Sequence, residues 1–415
     1  MKLTIDQQNA LNEMIDFYHN DEKFHILSGS AGTGKSTLIS EFITQINNYE
    51  LTATTNKAVN VLSEITKKQC STIHSLLKLQ PKQDITTGKT YLYQKSKQAI
   101  NASIIIIDEA SMIDDEMLFF IKETGNKILF IGDSYQLAPV GSKTMPVFND
   151  GFNISKLTKP HRQALNNPII NIANEIRQVI DGKPFPELKT CGATVNMLGH
   201  DEFERVALNH FDIGNNDNKI LSWTNKASKM YSNGIRRYLL GDVTDAPYRH
   251  ETYVTAKAIK ERFVNGDVLI NTDKDVFIED VKEAVLYGMN GLTITLKDAS
   301  NDDEESHDVF MPNDIIEANQ KLLKLKNIAK KEGGKKWVDF FTLENSISDI
   351  RPAYSMTVHK SQGSTYKNVF IDLDDICKNR DCIEVARLLY VAITRPSENV
   401  YISGSYSKHI MAFNR

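Results

Sequence analysis

Residues 24–43 read FHILSGSAGTGKSTLISEFI. Phe24, His25, Ile26 and Leu27 form a short apolar run of the length a buried strand takes, and the spacing of LISEFI is helical. Between them, GSAGTGKST matches GxxxxGK[ST] at every fixed position, namely Gly29, Gly34, Lys35 and Ser36, in the strand–loop–helix setting the motif requires. Glycines let such a loop bend until successive backbone N–H groups point at phosphate oxygens, and the helix N-terminus adds partial positive charge. Gly29, Ala31, Gly32, Thr33, Gly34, Lys35, Ser36 and Thr37 are therefore the expected nucleotide cradle. Lys35 would reach the β- and γ-phosphates, and the Ser36 hydroxyl would bind Mg2+.

A second run sharpens this. Residues 103–112, SIIIIDEASM, set four isoleucines before Asp108 and Glu109. Such a run suits a central parallel strand covered on both faces, and open α/β sheets hold ligands at the carboxyl ends of those strands. Asp108 is expected to hold Mg2+, directly or through water, and Glu109 to take a proton from an attacking water. Residues 127–140, KILFIGDSYQLAPV, supply a third strand and a turn, with Gln136 the candidate sensor of the γ-phosphate. Acids or Gly-Asp after a strand are ordinary turn features alone. Behind a complete phosphate loop they point to nucleotide hydrolysis. No Asn-Lys pair of the chain, NKAV and NKAS among them, continues to aspartate, so the guanine-reading NKxD of a GTPase switch is missing. A small-molecule kinase would be shorter and would lack a second lobe.

The 415 residues are 41% apolar and 25% charged, an ordinary globular composition with room for two to four domains at roughly 100–200 residues each. No run approaches the roughly 18 apolar residues of a membrane span. The start, MKLTIDQQNALNEM, lacks the apolar core of a signal peptide. The four cysteines form no CxxC pair, so a reduced, cytoplasmic setting is expected (the host cytoplasm for a phage-borne chain), with no membrane partner. A net charge of −4 and a pI of 6.2 argue against coating nucleic acid by bulk charge, for which a pI above about 9 is the footprint. A narrow basic channel stays compatible with these totals.

The second half reads as another α/β lobe. KILSW at 219–223, NVFIDL at 368–373 and NVYISG at 399–404 are strand-like, and 382–395 has helical apolar spacing. This half has no phosphate loop but supplies arginines. Arg162 in LTKPHRQ and Arg395 in VAITRP are candidate fingers for a γ-phosphate, although most arginines are only surface charge. One tetrapeptide, TNKA, occurs at 55–58 and again at 224–227, each time after a strand-like run and ahead of a helical one. A helix N-terminus, a hydroxyl, an amide and an ammonium meet there, which suits a backbone phosphate. Four repeated letters are, by themselves, within chance.

Taken in order, LTIDQQNA, GSAGTGKST, STIHS, IIIIDEAS, GDSYQLAPV, LTKPHRQ, SWTNKA, TVHKSQG and LLYVAITR resemble the motifs of superfamily 1B DNA helicases, in the RecD-like branch. The resemblance spans nearly the whole chain and is weakest over 240–345. It implies an α/β protein of two RecA-like P-loop lobes with ATP and Mg2+ between them, single-stranded DNA across their tops, and 5′→3′ translocation. It implies that Gln7 reads the adenine edge, that Gln362 and Gly363 line the cleft, and that Arg162 and Arg395 are the fingers. Thr55, Asn56, Lys57, Thr72, His74, Thr224, Asn225, Lys226, His359 and Lys360 become strand contacts. The chain departs from the pattern at Thr54, where related helicases typically carry proline.

Two insertions complete the reading. Residues 86–89, Thr-Thr-Gly-Lys, between β-leaning flanks read as a hairpin turn. The resemblance makes this hairpin the pin that splits duplex. Tyr91 and Tyr93 are candidates to stack on a terminal base at about 1–3 kcal/mol, ordinary hairpin packing being the plainer alternative, and Pro81 would lie along the strand path. Residues 246–345 contain FVNGDVLI, GLTITLKD and HDVFMPN as short strands, an acidic NDDEES loop, a lysine-rich helix at 316–332 whose default is a solvated face, and GGKKWVDFF. Relatives carry an SH3-like β-barrel here, with a helical extension that braces the pin, and Trp337 and Phe341 are the expected brace. The organisation expected is 1–76 and 98–158 for the ATP-binding lobe, 77–97 for the pin, 159–245 and 346–415 for the second lobe, and 246–345 for the barrel and extension. The expected activity is ATP-driven 5′→3′ unwinding of fork DNA by a monomer, with a single-strand-binding protein or replication machinery as candidate partners. Three rivals stay open: a translocase that displaces bound proteins and unwinds little, a helicase acting on RNA, and a nucleotide-controlled binding module without turnover. Glu109 beside Asp108, with both arginines, argues against the last.

Overall fold

The computed structural model describes residues 3–30, 32–96, 99–139, 141–158, 167–241, 246–272, 274–299 and 305–413. Ile104, Ile105, Ile106 and Ile107 are all fully buried, as expected for a strand covered on both faces. Their strand, Ile104–Asp108, lies third in a six-stranded parallel sheet. The order is Ser71–Thr72, Tyr49–Ala53, Ile104–Asp108, Lys127–Gly132, Phe24–Gly29 and Asn153–Leu157. Register brings the carboxyl ends together: Ala53 pairs with both Thr72 and Asp108, and Ser28 with Gly132. Apolar clusters cover both faces. One is built on Leu38, Phe42, Ile104 and Ile106, the other on Ile26, Ile105, Ile107 and Phe130.

A second parallel sheet runs Ser355–Thr357, Asn218–Ser222, Tyr366–Asp372, Pro396–Ser403 and Val195–Leu198. Its core is dominated by the helices Pro168–Ile180 and Cys382–Ile393; the second of these is so apolar that Leu388, Leu389, Val391 and Ile393 are all fully buried. The strand-like runs at 219–223, 368–373 and 399–404 fall on three of these strands.

The insertions also carry β structure. Leu79–Gln83 and Thr90–Gln94 pair antiparallel, Pro81 opposite Leu92 and Gln80 opposite Tyr93. Asp84 shapes the tip, its carboxylate accepting from the Thr86 N–H at 2.7 Å and the Thr87 hydroxyl at 2.5 Å. The later insertion holds a five-stranded antiparallel sheet, in the order His307–Pro312, Met289–Asp298, Asp275–Leu286, Thr252–Thr255 and Ile350–Pro352. A separate ribbon pairs Ile259–Lys260 with Val268–Ile270. Two helices, Ile315–Glu332 and Lys335–Ser346, pack against each other around Trp337, Phe340 and Phe341. The long strand Asp275–Leu286 went unread in the sequence. Glu279, Asp280 and Glu283 break up its apolar pattern, and the register shifts between Ile278 and Asp280. Only a short part of FVNGDVLI, Val268–Ile270, is strand.

Candidate nucleotide cleft and strand path

The phosphate loop closes on itself. Gly34 adopts φ +83° as the N-cap of the helix Lys35–Phe42, and a Cβ there would overlap the Gln7 amide, so no other residue fits without strain. Lys35 Nζ donates to the carbonyls of Gly29 at 2.6 Å and Ser30 at 3.3 Å, spanning the loop. Thr33 Oγ1 ties back to the Ser30 carbonyl at 2.8 Å. Ser36 and Thr37 occupy the first turn of the helix, where the unsatisfied N–H groups lie. Gln7 is nearly fully buried. Its Oε1 accepts from Thr4 N–H in a capping box, and its Nε2 donates to the Thr33 carbonyl at 3.1 Å. One donor and one lone pair of that amide remain for a base edge. Ala31 lies outside the described residues, as does Arg162.

Asp108 and Glu109 close the adjacent strand. Burial, with the Glu109 carboxylate adding to it, pushes the Asp108 carboxyl up to about 7. Lys35 and the Glu109 N–H, which donates to Asp108 Oδ1 at 2.8 Å, pull the other way. Glu109 holds φ +54° without being glycine, a backbone strain of about 1–2 kcal/mol. The Thr54 hydroxyl donates to the Glu109 carbonyl at 3.4 Å. Ser36 and Asp108 offer a hydroxyl and a carboxylate, the hard oxygen donors Mg2+ prefers, and no group of three or more His, Cys, Asp or Glu side chains gathers as a metal cage among the described residues. That donor set fits Mg2+, which keeps its waters and takes substrate phosphates as further ligands. Bound there, the ion would neutralise phosphate charge.

Gln136 is buried, and its side-chain Oε1 has no hydrogen-bond partner. An orphaned buried acceptor costs about 1–3 kcal/mol, and a water O–H at the cleft would satisfy it. Its loop crosses to the second lobe, where Gln362 Nε2 meets the Leu137 carbonyl at 3.5 Å. Gly363 packs against Thr55 Oγ1 and Ala58. Arg395 is also buried. Its guanidinium donates to the carbonyls of Val391 at 3.1 Å, Ser364 at 3.2 Å and Ser361 at 3.5 Å, and to Thr394 Oγ1. These bonds lie within its own lobe and leave it at the edge of the Gln362-Gly363 loop.

The two TNKA segments have the same local structure. Thr55 and Thr224 are N-caps in extended backbone, each hydroxyl accepting from the alanine N–H three residues on, at 3.2 and 3.1 Å. Each helix begins directly after a parallel strand, Tyr49–Ala53 or Asn218–Ser222. The surroundings differ. Asp375, fully buried, accepts from the N–H groups of Trp223 and Thr224 and from the Thr224 hydroxyl, all within 3.0 Å. Thr224 thus spends its hydroxyl proton internally. Arg351 NH1 donates to Asn225 Oδ1 at 2.9 Å, while Lys226 is exposed. Lys57 lies 6.0 Å from the centre of the Tyr366 ring in the other lobe. Thr72 caps the short helix holding His74, at the sheet edge next to the first TNKA. Lys360 follows His359 on the turn after Ser355–Thr357, next to the second TNKA strand. Burial lowers the pKa of both His74 and His359, which favours the uncharged ring near neutral pH. Asp375 and Arg351 escaped the sequence reading because each acts on a segment more than a hundred residues away.

Tyr91 and Tyr93 are 43% exposed on the hairpin; Lys82 Nζ lies 4.4 Å from the Tyr93 ring centre. The tip is held from outside. Trp337, 3% exposed, stacks on Phe341 at 5.8 Å and covers Gly88. Asn265 and Asn345 bond Gln83 at 3.0 and 3.3 Å.

An AAA domain model matches residues 10–142, and a UvrD-like helicase C-terminal domain model matches 352–403. The ATP-dependent DNA helicase dda of Enterobacteria phage T4 is 27% identical, covering 96% of this chain and 98% of its own. The RecBCD enzyme subunit RecD of Buchnera aphidicola is 28% identical, over 88% of this chain and 67% of its own. By sequence, the chain resembles these helicases, consistent with superfamily 1B. A crystal structure of Pif1 helicase from Bacteroides in complex with ADP-AlF3 and ssDNA aligns over 99% of this chain and 94% of its own, at 18% identity and a TM-score of 0.48. No helix of the described residues is long and apolar enough to cross a membrane.

Proposed function

We propose that this chain is an ATP-dependent DNA helicase that steps 5′→3′ along a single strand and splits duplex on the hairpin Leu79–Gln94. The observation that carries the reading is the pair of identically capped TNKA turns, one at the carboxyl edge of each parallel sheet. Each places a helix N-terminus and a lysine where a backbone phosphate would lie. Two such helix starts, one on each lobe, with a phosphate loop at one and Arg395 at the other, are the parts of a stepping motor. Lys35 and the loop N–H groups would bind the phosphates, Ser36 and Asp108 would hold Mg2+, and Gln136 and Glu109 would orient and deprotonate the water. Arg162 and Arg395 would stabilise the charge that develops on the γ-phosphate. Thr72, His74, His359 and Lys360 would add contacts along the strand.

The hairpin is suited to act as a pin because Trp337 and Asn265 fix it from the insertion, leaving Tyr91 and Tyr93 outward. Phosphate contacts read no bases, so turnover should rise with any single strand. The test is steady-state ATPase with and without oligo-dT. The reading expects strong stimulation that is lost in Lys35→Ala. Turnover retained in that variant would remove the phosphate loop from the chemistry, and turnover indifferent to oligonucleotide would remove the strand from the cycle.

A further inference from the structure

Leu137 lies in sequence between two strands of the first sheet, Lys127–Gly132 and Asn153–Leu157, but its side chain packs in the core of the second lobe. It is buried in the cluster of Ile169, Ile176, Val385 and Leu389, with Tyr135 packed beside it. The residues around it are fastened to the same lobe. Arg387 NH1 donates to the Ser134 and Gln136 carbonyls, both at 2.6 Å. Tyr390 Oη donates to Asp133 Oδ2 at 2.5 Å. Tyr135 Oη donates to Asp181, and the Arg177 guanidinium lies 5.1 Å from the Tyr135 ring centre. On the other side the loop is continuous with the strand Lys127–Gly132, and Gly132 abuts the backbone of Ala110 and Ser111, just beyond Glu109.

We propose that Arg387 and Tyr390 are positioning residues that make the 133–137 loop travel with the second lobe, so that lobe movement sets where Gln136 and the Glu109 turn stand at the γ-phosphate. The inference rests on the helicase reading and adds to it the part that couples the two lobes. Arg387 grips backbone carbonyls, so the loop's path matters to it and the loop's side chains do not. Asp133 is 1% exposed and pairs with Tyr390 from inside the interface, where a charge-assisted bond is strong. Motion of the second lobe therefore carries the loop with it. Nucleotide state and strand grip on that lobe become linked through these two side chains, and linkage of this kind is reciprocal.

The test compares single-strand affinity with and without a non-hydrolysable ATP analogue and Mg2+, using labelled oligo-dT in Arg387→Ala, Arg387→Lys and Tyr390→Phe. Allosteric ratios typically run about 5–150-fold. The proposal expects the wild-type ratio to fall at least about threefold towards one in Arg387→Ala and in the near-isosteric Tyr390→Phe, with nucleotide-free affinity unchanged and partial recovery in Arg387→Lys. Should Arg387→Ala melt early, Tyr390→Phe carries the test alone. An unchanged ratio in Tyr390→Phe, or equal losses of affinity with and without the analogue, would overturn it. A wild-type protein with neither a ratio nor strand-stimulated ATPase would overturn the helicase reading itself, a separate outcome.

Discussion

Replacing Gly88 by alanine tests the pin directly, because it changes only how the hairpin tip sits. Gly88 has φ +68° and lies beneath Trp337. A Cβ there would come closer than 3.0 Å to three ring carbons, a separation real Cβ atoms do not occupy, and the tip must withdraw until contact is ordinary, at 3.4 Å or beyond. Left-handed backbone adds about 1–2 kcal/mol for a non-glycine residue. Trp337 is held by Phe340 and Phe341, so the hairpin should yield first. A strain of about 1.4 kcal/mol corresponds to tenfold in an equilibrium between seated and released tip. Because the added Cβ overlaps the Trp337 ring and excludes the seated tip as it stands, unwinding of a 5′-tailed duplex by Gly88→Ala should fall severalfold, while oligo-dT-stimulated ATPase is little changed. The nucleotide cleft and both TNKA turns lie on other elements. A parallel loss of both activities, or no loss of unwinding, would refute the claim that a seated tip separates the strands.

Other perturbations address other parts. Lys226→Ala should weaken single-strand binding and lower the slope of log affinity against log salt by about 0.7, the share of one phosphate contact; titrations at several salt concentrations measure it. Lys57→Ala should change the slope less, because that ammonium already sits near the Tyr366 ring. Asp108→Asn should abolish ATPase yet raise the melting temperature of the metal-free protein at pH 8. The sign follows from the raised pKa. The folded state binds its proton more tightly than the unfolded chain, so this group's contribution is most favourable at low pH and declines as pH rises through about 7. Thermal melts of both proteins from about pH 5 to 8.5 check this: the difference should grow as pH rises towards about 7 and level off above it.

Much of the cleft was legible because its signals are local. The glycine spacing of 29–36, the isoleucines before Asp108 and the apolar run before Gly132 each state their own structure, and parallel pairing then aligns their carboxyl ends. The TNKA repeat was legible as two helix starts, since a threonine after a strand and before a helical pattern is a cap in both settings. What stayed hidden acts at long range. Arg387 reads as one more helical residue in a run of leucines, and only the fold brings it to carbonyls some 250 residues earlier. Asp375, in the acidic run DLDD, looks like solvated charge but is fully buried, holding the second TNKA turn. Gln7 entered only through the resemblance to related helicases, and its contacts with Thr4 and Thr33 depend on a capping box and loop geometry that no motif states.

The central claim is directed, ATP-driven movement along a single strand that ends in strand separation. Two duplexes of the same sequence, one with a 5′ single-stranded tail and one with a 3′ tail, test it most directly when each is mixed with the protein, ATP and Mg2+. The account predicts unwinding of the 5′-tailed substrate and not of the 3′-tailed one. Preference for the 3′ tail, or equal unwinding of both, would contradict it.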